Sequence, residues 1–143
     1  METKDYIEVV GTAFIKNGEL LVSMSQRSAK AGRFTLVGGG VEPGETLIEA
    51  ACRECEEEIG NDFKIAPHEL EEVLIFREPA LSDPNIIIEM HIFLAKKDVD
   101  VELIPNEEIR EYRWFKLGDD ESTLSSAVKD NVIPWAKLSG LMY

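Results

Sequence analysis

The chain has 143 residues, 44% hydrophobic and 30% charged, the composition of a globular protein long enough to bury a core of its own. Its 28 acidic residues against 15 basic ones give a net charge of −13, which argues against a grip on a nucleic-acid polymer through clustered Lys and Arg. No apolar run approaches the ~20 residues of a membrane span, and METKDYIEVV lacks a basic stretch leading into an apolar one, so a cytoplasmic protein without a membrane partner is expected.

Residues 7–15, rich in Val, Ile, Phe and Thr, predict a strand. Asn17-Gly18 is a two-residue hairpin signal, and a second strand follows over 19–24. Residues 33–37 predict a third, which runs into Gly38-Gly39-Gly40, where the backbone is free of side-chain limits. Pro43-Gly44 marks a turn. Thr46 with Glu49 makes a capping box for a helix to Ile59, and Gly60-Asn61 stops it. Strands are expected within 70–77 and 86–95, joined by a polar loop over 79–85, and again near 112–115. A helix starting at Asp119 or Asp120 and a short one over 134–138 complete the chain. With no repeat and no linker, the pattern predicts one mixed α/β domain over 1–143.

The helix from Thr46 to Ile59 carries the chemistry. At about 100° per residue, Ile48, Cys52, Cys55 and Ile59 form an apolar stripe, while Glu54, Glu57 and Glu58 gather on another face. The cysteines then read as small buried hydrophobes, not as a redox pair or half a zinc site, since His68 and His91 stand alone and far apart. Like charges spaced three and four apart repel, so the glutamates are not placed for helix stability. Taken alone, Glu56-Glu57-Glu58 reads as a solvated acidic run. Beside a Gly-rich turn, however, three carboxylates offer the hard oxygen ligands that Mg²⁺ or Mn²⁺ prefers. Arg53, four residues before Glu57 and within reach of Glu45, suits the orienting of those carboxylates.

The stretch GGVEPGETLIEAACRECEEEIG, residues 39–60, resembles the Nudix box, G-x5-E-x7-R-E-U-x-E-E-x-G-U with U aliphatic. Gly39, Glu45, Arg53, Glu54, Glu57, Glu58 and Gly60 fall on its fixed positions. Two positions depart from it: Cys55 stands at the first U and Asn61 at the last, closing the box at 39–61. The resemblance implies an α/β/α sandwich with a mixed central β-sheet. It also implies hydrolysis of a phosphoanhydride in a nucleoside diphosphate derivative, with Mg²⁺ as cofactor and Mn²⁺ as a substitute.

In that scheme Glu54, Glu57 and Glu58 are metal ligands, helped by the Gly39 carbonyl, and Arg53 and Glu45 orient them. An acidic site would repel a pyrophosphate, so metal ions must bridge protein and substrate. The general base is left open between a box glutamate and the loop pair Glu107 and Glu108, for which a solvated loop is an equal reading. Arg27, Lys30 and Arg33 form the dense basic group ahead of the box, fit either for substrate phosphates or as plain surface charge. Phe34, Phe76 and Trp114 are better read as core than as base-stacking rings.

The substrate expected from the resemblance is a nucleoside triphosphate, damaged ones included, cut to monophosphate and pyrophosphate as by MutT-like enzymes. ADP-ribose or a nucleotide sugar is the alternative; Pro67 lies too near and Pro79 slightly too far for the proline common in ADP-ribose relatives. A catalytically silent nucleotide-binding relative is a further reading, disfavoured because all three box glutamates are present. A homodimer is compatible with all of these.

Overall fold

The computed structural model describes residues 5–27, 32–80 and 83–143. Its strands are β1 (Ile7–Ala13), β2 (Ile15–Lys16), β3 (Glu19–Ser25), β4 (Val37–Gly40), β5 (Leu70–Pro79), β6 (Ile87–Ala95) and β7 (Ile109–Phe115). The α-helices are α1 (Leu47–Ile59) and α2 (Ile133–Leu138). One sheet has the order β4-β1-β6-β5 and the other β2-β3-β7. β1 runs parallel to β6, with Glu8 opposite Glu89 and Val10 opposite His91, and antiparallel to β4, with Val10 opposite Gly39. The remaining pairings are antiparallel, so the sheet is mixed.

Side chains alternate across a strand, and here both faces are covered. On β3, Leu20 and Val22 enter one core while Leu21 enters the other. The core containing Leu21 is closed by Ala50, Ala51, Cys55 and Ile59 of α1. The opposite core is closed by Val128, Val132, Ile133 and Ala136 of the C-terminal helical segment. The result is the expected α/β/α sandwich. No helix among the described residues is long and apolar enough to cross a membrane.

The capping box at the start of α1 is formed: Thr46 Oγ1 accepts from Glu49 N at 3.2 Å, and Glu49 Oε1 accepts from Thr46 N at 2.9 Å. Gly60, at φ 62°, ends the helix. Elsewhere three expectations are corrected. The strand expected over 33–37 is instead β4, beginning at Val37. Phe34 pairs with Leu124 and Thr35 with Ser23, so the segment divides its hydrogen bonds between two partners and builds no ladder. The strand expected near 112–115 starts earlier, at Ile109.

The helix expected from Asp119 or Asp120 is a single 3₁₀ turn, Glu121–Thr123, whose cap Asp120 accepts from Ser122 N at 2.9 Å. Regular helix resumes at residue 126 and passes through a π-wound segment, Val128–Val132, into α2. Pro134 has no N–H to give to the preceding turn, and the helix is wound wider there.

Candidate active site

The box forms a loop, the helix α1 and a second loop, packed against β4. Gly38 and Gly39 are required by close approach. A Cβ on Gly38 would lie 2.0 Å from the Val10 carbonyl oxygen, and one on Gly39 would lie 2.6 Å from Glu54 Oε1. Neither space exists, so the helix and its glutamates lie directly against bare backbone. Arg53 ties the arrangement together. Its Nε and Nη2 donate to Glu45 at 2.8 and 3.0 Å in a bidentate pair, and Nη2 also donates to the Gly40 carbonyl at 2.9 Å. Its Nη1 donates to Glu54 Oε1 at 3.0 Å and Glu57 Oε2 at 3.2 Å. One guanidinium therefore holds the loop to the helix and draws two of the three glutamates together.

Glu54, Glu57, Glu58 and Glu108 line a polar cavity of about 550 Å³, together with Glu107, Arg27 and the backbone of residues 38–40. Glu58 is 8% exposed, and its Oε1 accepts from Gly38 N at 2.8 Å. Burial pushes its carboxyl up to about 8, and the charges of Glu54, Glu108 and Glu57 add to that, against the opposing pull of the Gly38 N–H. Burial also raises Glu54, with Glu57 and Glu108 adding to it while Arg53 pulls it back. Glu45 is lowered, chiefly by its hydrogen bond to Arg53. The inner end of the cavity thus concentrates carboxylates with one guanidinium to balance them. A hard divalent cation fits that deficit of positive charge and that all-oxygen donor set.

Comparison with known proteins bears on what this arrangement is for. The family model described as the NUDIX domain matches residues 6–136. The chain belongs to the Nudix family. It is 31% identical over 104 residues to a nucleoside triphosphatase NudI of Escherichia fergusonii, spanning 70% of this chain and 74% of that one. It is 32% identical, over the same shares, to the enzyme of that name from Escherichia coli O1:K1 / APEC. In fold it resembles a NUDIX hydrolase from Nitrosomonas europaea, with a TM-score of 0.74, 18% identity and coverage of 96% of this chain and 92% of that one. It likewise resembles a MutT NUDIX hydrolase from Burkholderia pseudomallei, with a TM-score of 0.72, 22% identity and coverage of 89% and 95%. The protein is a Nudix hydrolase, a class that acts on small nucleotide substrates and generally uses a divalent metal.

Asn106, which sequence reasoning missed, organises the outer end of the Nudix box. Its Nδ2 donates to the Glu58 carbonyl at 2.9 Å and to Tyr112 Oη at 3.0 Å. The Tyr112 hydroxyl itself donates to the Glu58 carbonyl. The Asn106 Oδ1 accepts from Glu108 N and Ile109 N, both at 2.8 Å. One amide therefore ties a carbonyl that α1 leaves unpaired to the loop bearing Glu108. Gln26, just after β3, holds the same loop, its N donating to the Glu108 carbonyl at 2.9 Å and its Nε2 to the Asn106 carbonyl at 3.1 Å. The only advance sign was an Asn in a Pro-Asn-Glu turn, too common to single out.

The basic residues separate. Arg27 lines the cavity, Arg33 turns away to donate from Nη1 to the Ser122 carbonyl, and Lys30 lies outside the described residues. Phe34 is buried, with the Arg113 guanidinium 4.3 Å from its ring centre; Phe76 and Trp114 pack against the two cores. None of the three lines the polar cavity. Cys55 is buried as expected, whereas Cys52 is half-buried. Asn61 takes a left-handed conformation at φ 50° and donates to the Glu102 carbonyl at 3.1 Å, a polar tie in place of an aliphatic contact.

Proposed function

We propose that this Nudix hydrolase uses Mg²⁺ to hydrolyse a nucleoside triphosphate to the monophosphate and pyrophosphate, within a single catalytic domain over residues 1–143. The observation that carries the reading is the convergence of Glu54, Glu57 and Glu58 with bare glycine backbone on one polar cavity. The choice of substrate is supported by relatives above 30% identity that bear the name nucleoside triphosphatase.

Glu54, Glu57 and Glu58 would hold the metal, with the Gly39 carbonyl as a further oxygen donor. When bound, Mg²⁺ neutralises phosphate oxygens and lowers the pKa of an attacking water. Arg53 and Glu45 hold the carboxylates in register. Glu108, on a loop braced by Asn106 and Gln26, is our candidate to take the proton from water. Arg27 at the cavity wall meets the outer phosphates.

The test is a screen of nucleoside triphosphates, dinucleotides and nucleotide sugars with Mg²⁺, with products identified by mass. Pyrophosphate and a nucleoside monophosphate are expected from a triphosphate; AMP and ribose phosphate from ADP-ribose would move the substrate to the other class. Glu57→Gln should cut turnover at least about 100-fold with the fold intact, since even indirect support of a metal ligand is worth 10–100-fold. Undiminished wild-type turnover in excess EDTA would contradict the metal assignment.

A further inference from the structure

On the face of the sheet that carries α1, but outside the box, β1 and β6 bring a second set of metal-ligating groups together. Glu8, Glu89 and His91 each offer a ligand atom, and these atoms lie within 4.8 Å of one another. His91 Nε2 is 2.9 Å from Glu89 Oε1 and 3.5 Å from Glu8 Oε2. Glu8 and Glu89 are direct partners across the parallel ladder, which sets two carboxylates side by side. Arg77 answers part of that charge, reaching Glu89 Oε2 at 3.0 Å from outside while its guanidinium stacks on Tyr6.

The imidazole is the second observation. His91 is 6% exposed, and its Nδ1 is buried without a hydrogen-bond partner among the described residues. The nearest carboxylate on that side, Glu72 Oε2, stands at 3.6 Å, beyond hydrogen-bond length. A buried nitrogen left so costs free energy. If Nε2 binds a cation, the proton sits on Nδ1 and faces Glu72, the carboxylate–histidine–metal arrangement that orients a ligating ring.

We infer that Glu8, Glu89 and His91 form a second metal site, separate from the catalytic carboxylates, that takes a divalent transition ion of the zinc class and has Glu72 behind the histidine. One imidazole with two carboxylates suits Zn²⁺, whose ligand–ligand spacing at bond lengths near 2.0 Å is about 3.3 Å. Mg²⁺ prefers an all-oxygen set, so the box and this site select different ions. The ion joins the first strand to β6 at the one parallel pairing among the described strands.

The test titrates Zn²⁺ into the full chain with the box held saturated by excess Mg²⁺. Binding is followed by calorimetry and by the ¹⁵N shifts of the histidine rings. One equivalent is expected to bind and to move the His91 Nε2 resonance. Glu8→Gln, at a half-exposed position that tolerates the change, should weaken that binding at least about tenfold, and Glu72→Gln should weaken it by about 10–100-fold. Mg²⁺-dependent hydrolysis by both variants should match wild type. Absence of Zn²⁺ binding beyond the box, or binding equally tight in Glu8→Gln, overturns the site. So do His91 ring resonances that do not move as Zn²⁺ is added.

Discussion

Glu58 must be an anion to hold a cation, yet burial and three neighbouring glutamates favour its protonated form, near 8. A carboxyl with a folded pKa above its ordinary value of 4.5 binds its proton more tightly folded than unfolded. Its contribution to stability is therefore present below pH 4.5 and is lost as pH rises toward 8, at about 1.4 kcal/mol per pKa unit at most. With EDTA present, the wild type should lose melting temperature relative to Glu58→Gln between these pH values, by roughly 5 °C. Saturating Mg²⁺ at the alkaline end should close the gap. Parallel melting curves for the two proteins across the range would show that no such strain exists. The pattern of glutamates was legible in the sequence because Glu54, Glu57 and Glu58 sit close together on α1, where helical period alone places them. The tension at Glu58 was not, because it arises from burial against β4.

Among the elements, α1 is joined to the sheet by two ties of different origin. The inner tie is Arg53, which binds the loop at Gly40 and Glu45 and was readable from spacing. The outer tie is Asn106 with Tyr112, which grips the Glu58 carbonyl from 48 and 54 positions away. No local periodicity encodes a hydrogen bond between residues so far apart in the chain, and an Asn in a turn looks like turn chemistry and nothing more. Asn106→Ala should cost about 1–3 kcal/mol in urea unfolding, because Glu108 N and Ile109 N lose their acceptor and the Glu58 carbonyl keeps only Tyr112. It should also lower kcat more than it raises KM, since the loop bearing Glu108 loses its anchor. Asn106→Asp keeps the acceptor for Glu108 N and Ile109 N and should restore part of kcat; equal loss in both variants would show that the loop tie has no part in turnover. The divided strand at Phe34 and Thr35 and the wide turn before Pro134 escaped sequence reasoning for the same reason, as their hydrogen bonds are set by distant segments.

For the whole molecule, the net charge of −13 sets the terms on which an anionic nucleotide arrives. Once Mg²⁺ saturates the site, the remaining field still repels the substrate. Screening should then help: kcat/KM is expected to rise modestly from about 20 to about 200 mM NaCl, where the Debye length shortens toward 8 Å. A steep fall over that range would instead point to a basic docking surface that dominates encounter. The mixed α/β class was legible because strand composition and the capped helix are short-range signals; the layered sandwich was expected only from the resemblance to the Nudix box, and the two cores follow once β3 sends Leu20 and Leu21 to opposite sides.

The bare backbone at Gly38 and Gly39 has a consequence for how such an enzyme diversifies. Side chains cannot be added at these two positions without displacing Glu54 or the Val10 carbonyl, so neither can be rewritten to read a new base. Preference among nucleotides can instead be written at the other lining positions, such as Gln26, Arg27 and Glu107. Evolution can therefore retune what is cleaved while the machinery that cleaves it stays untouched.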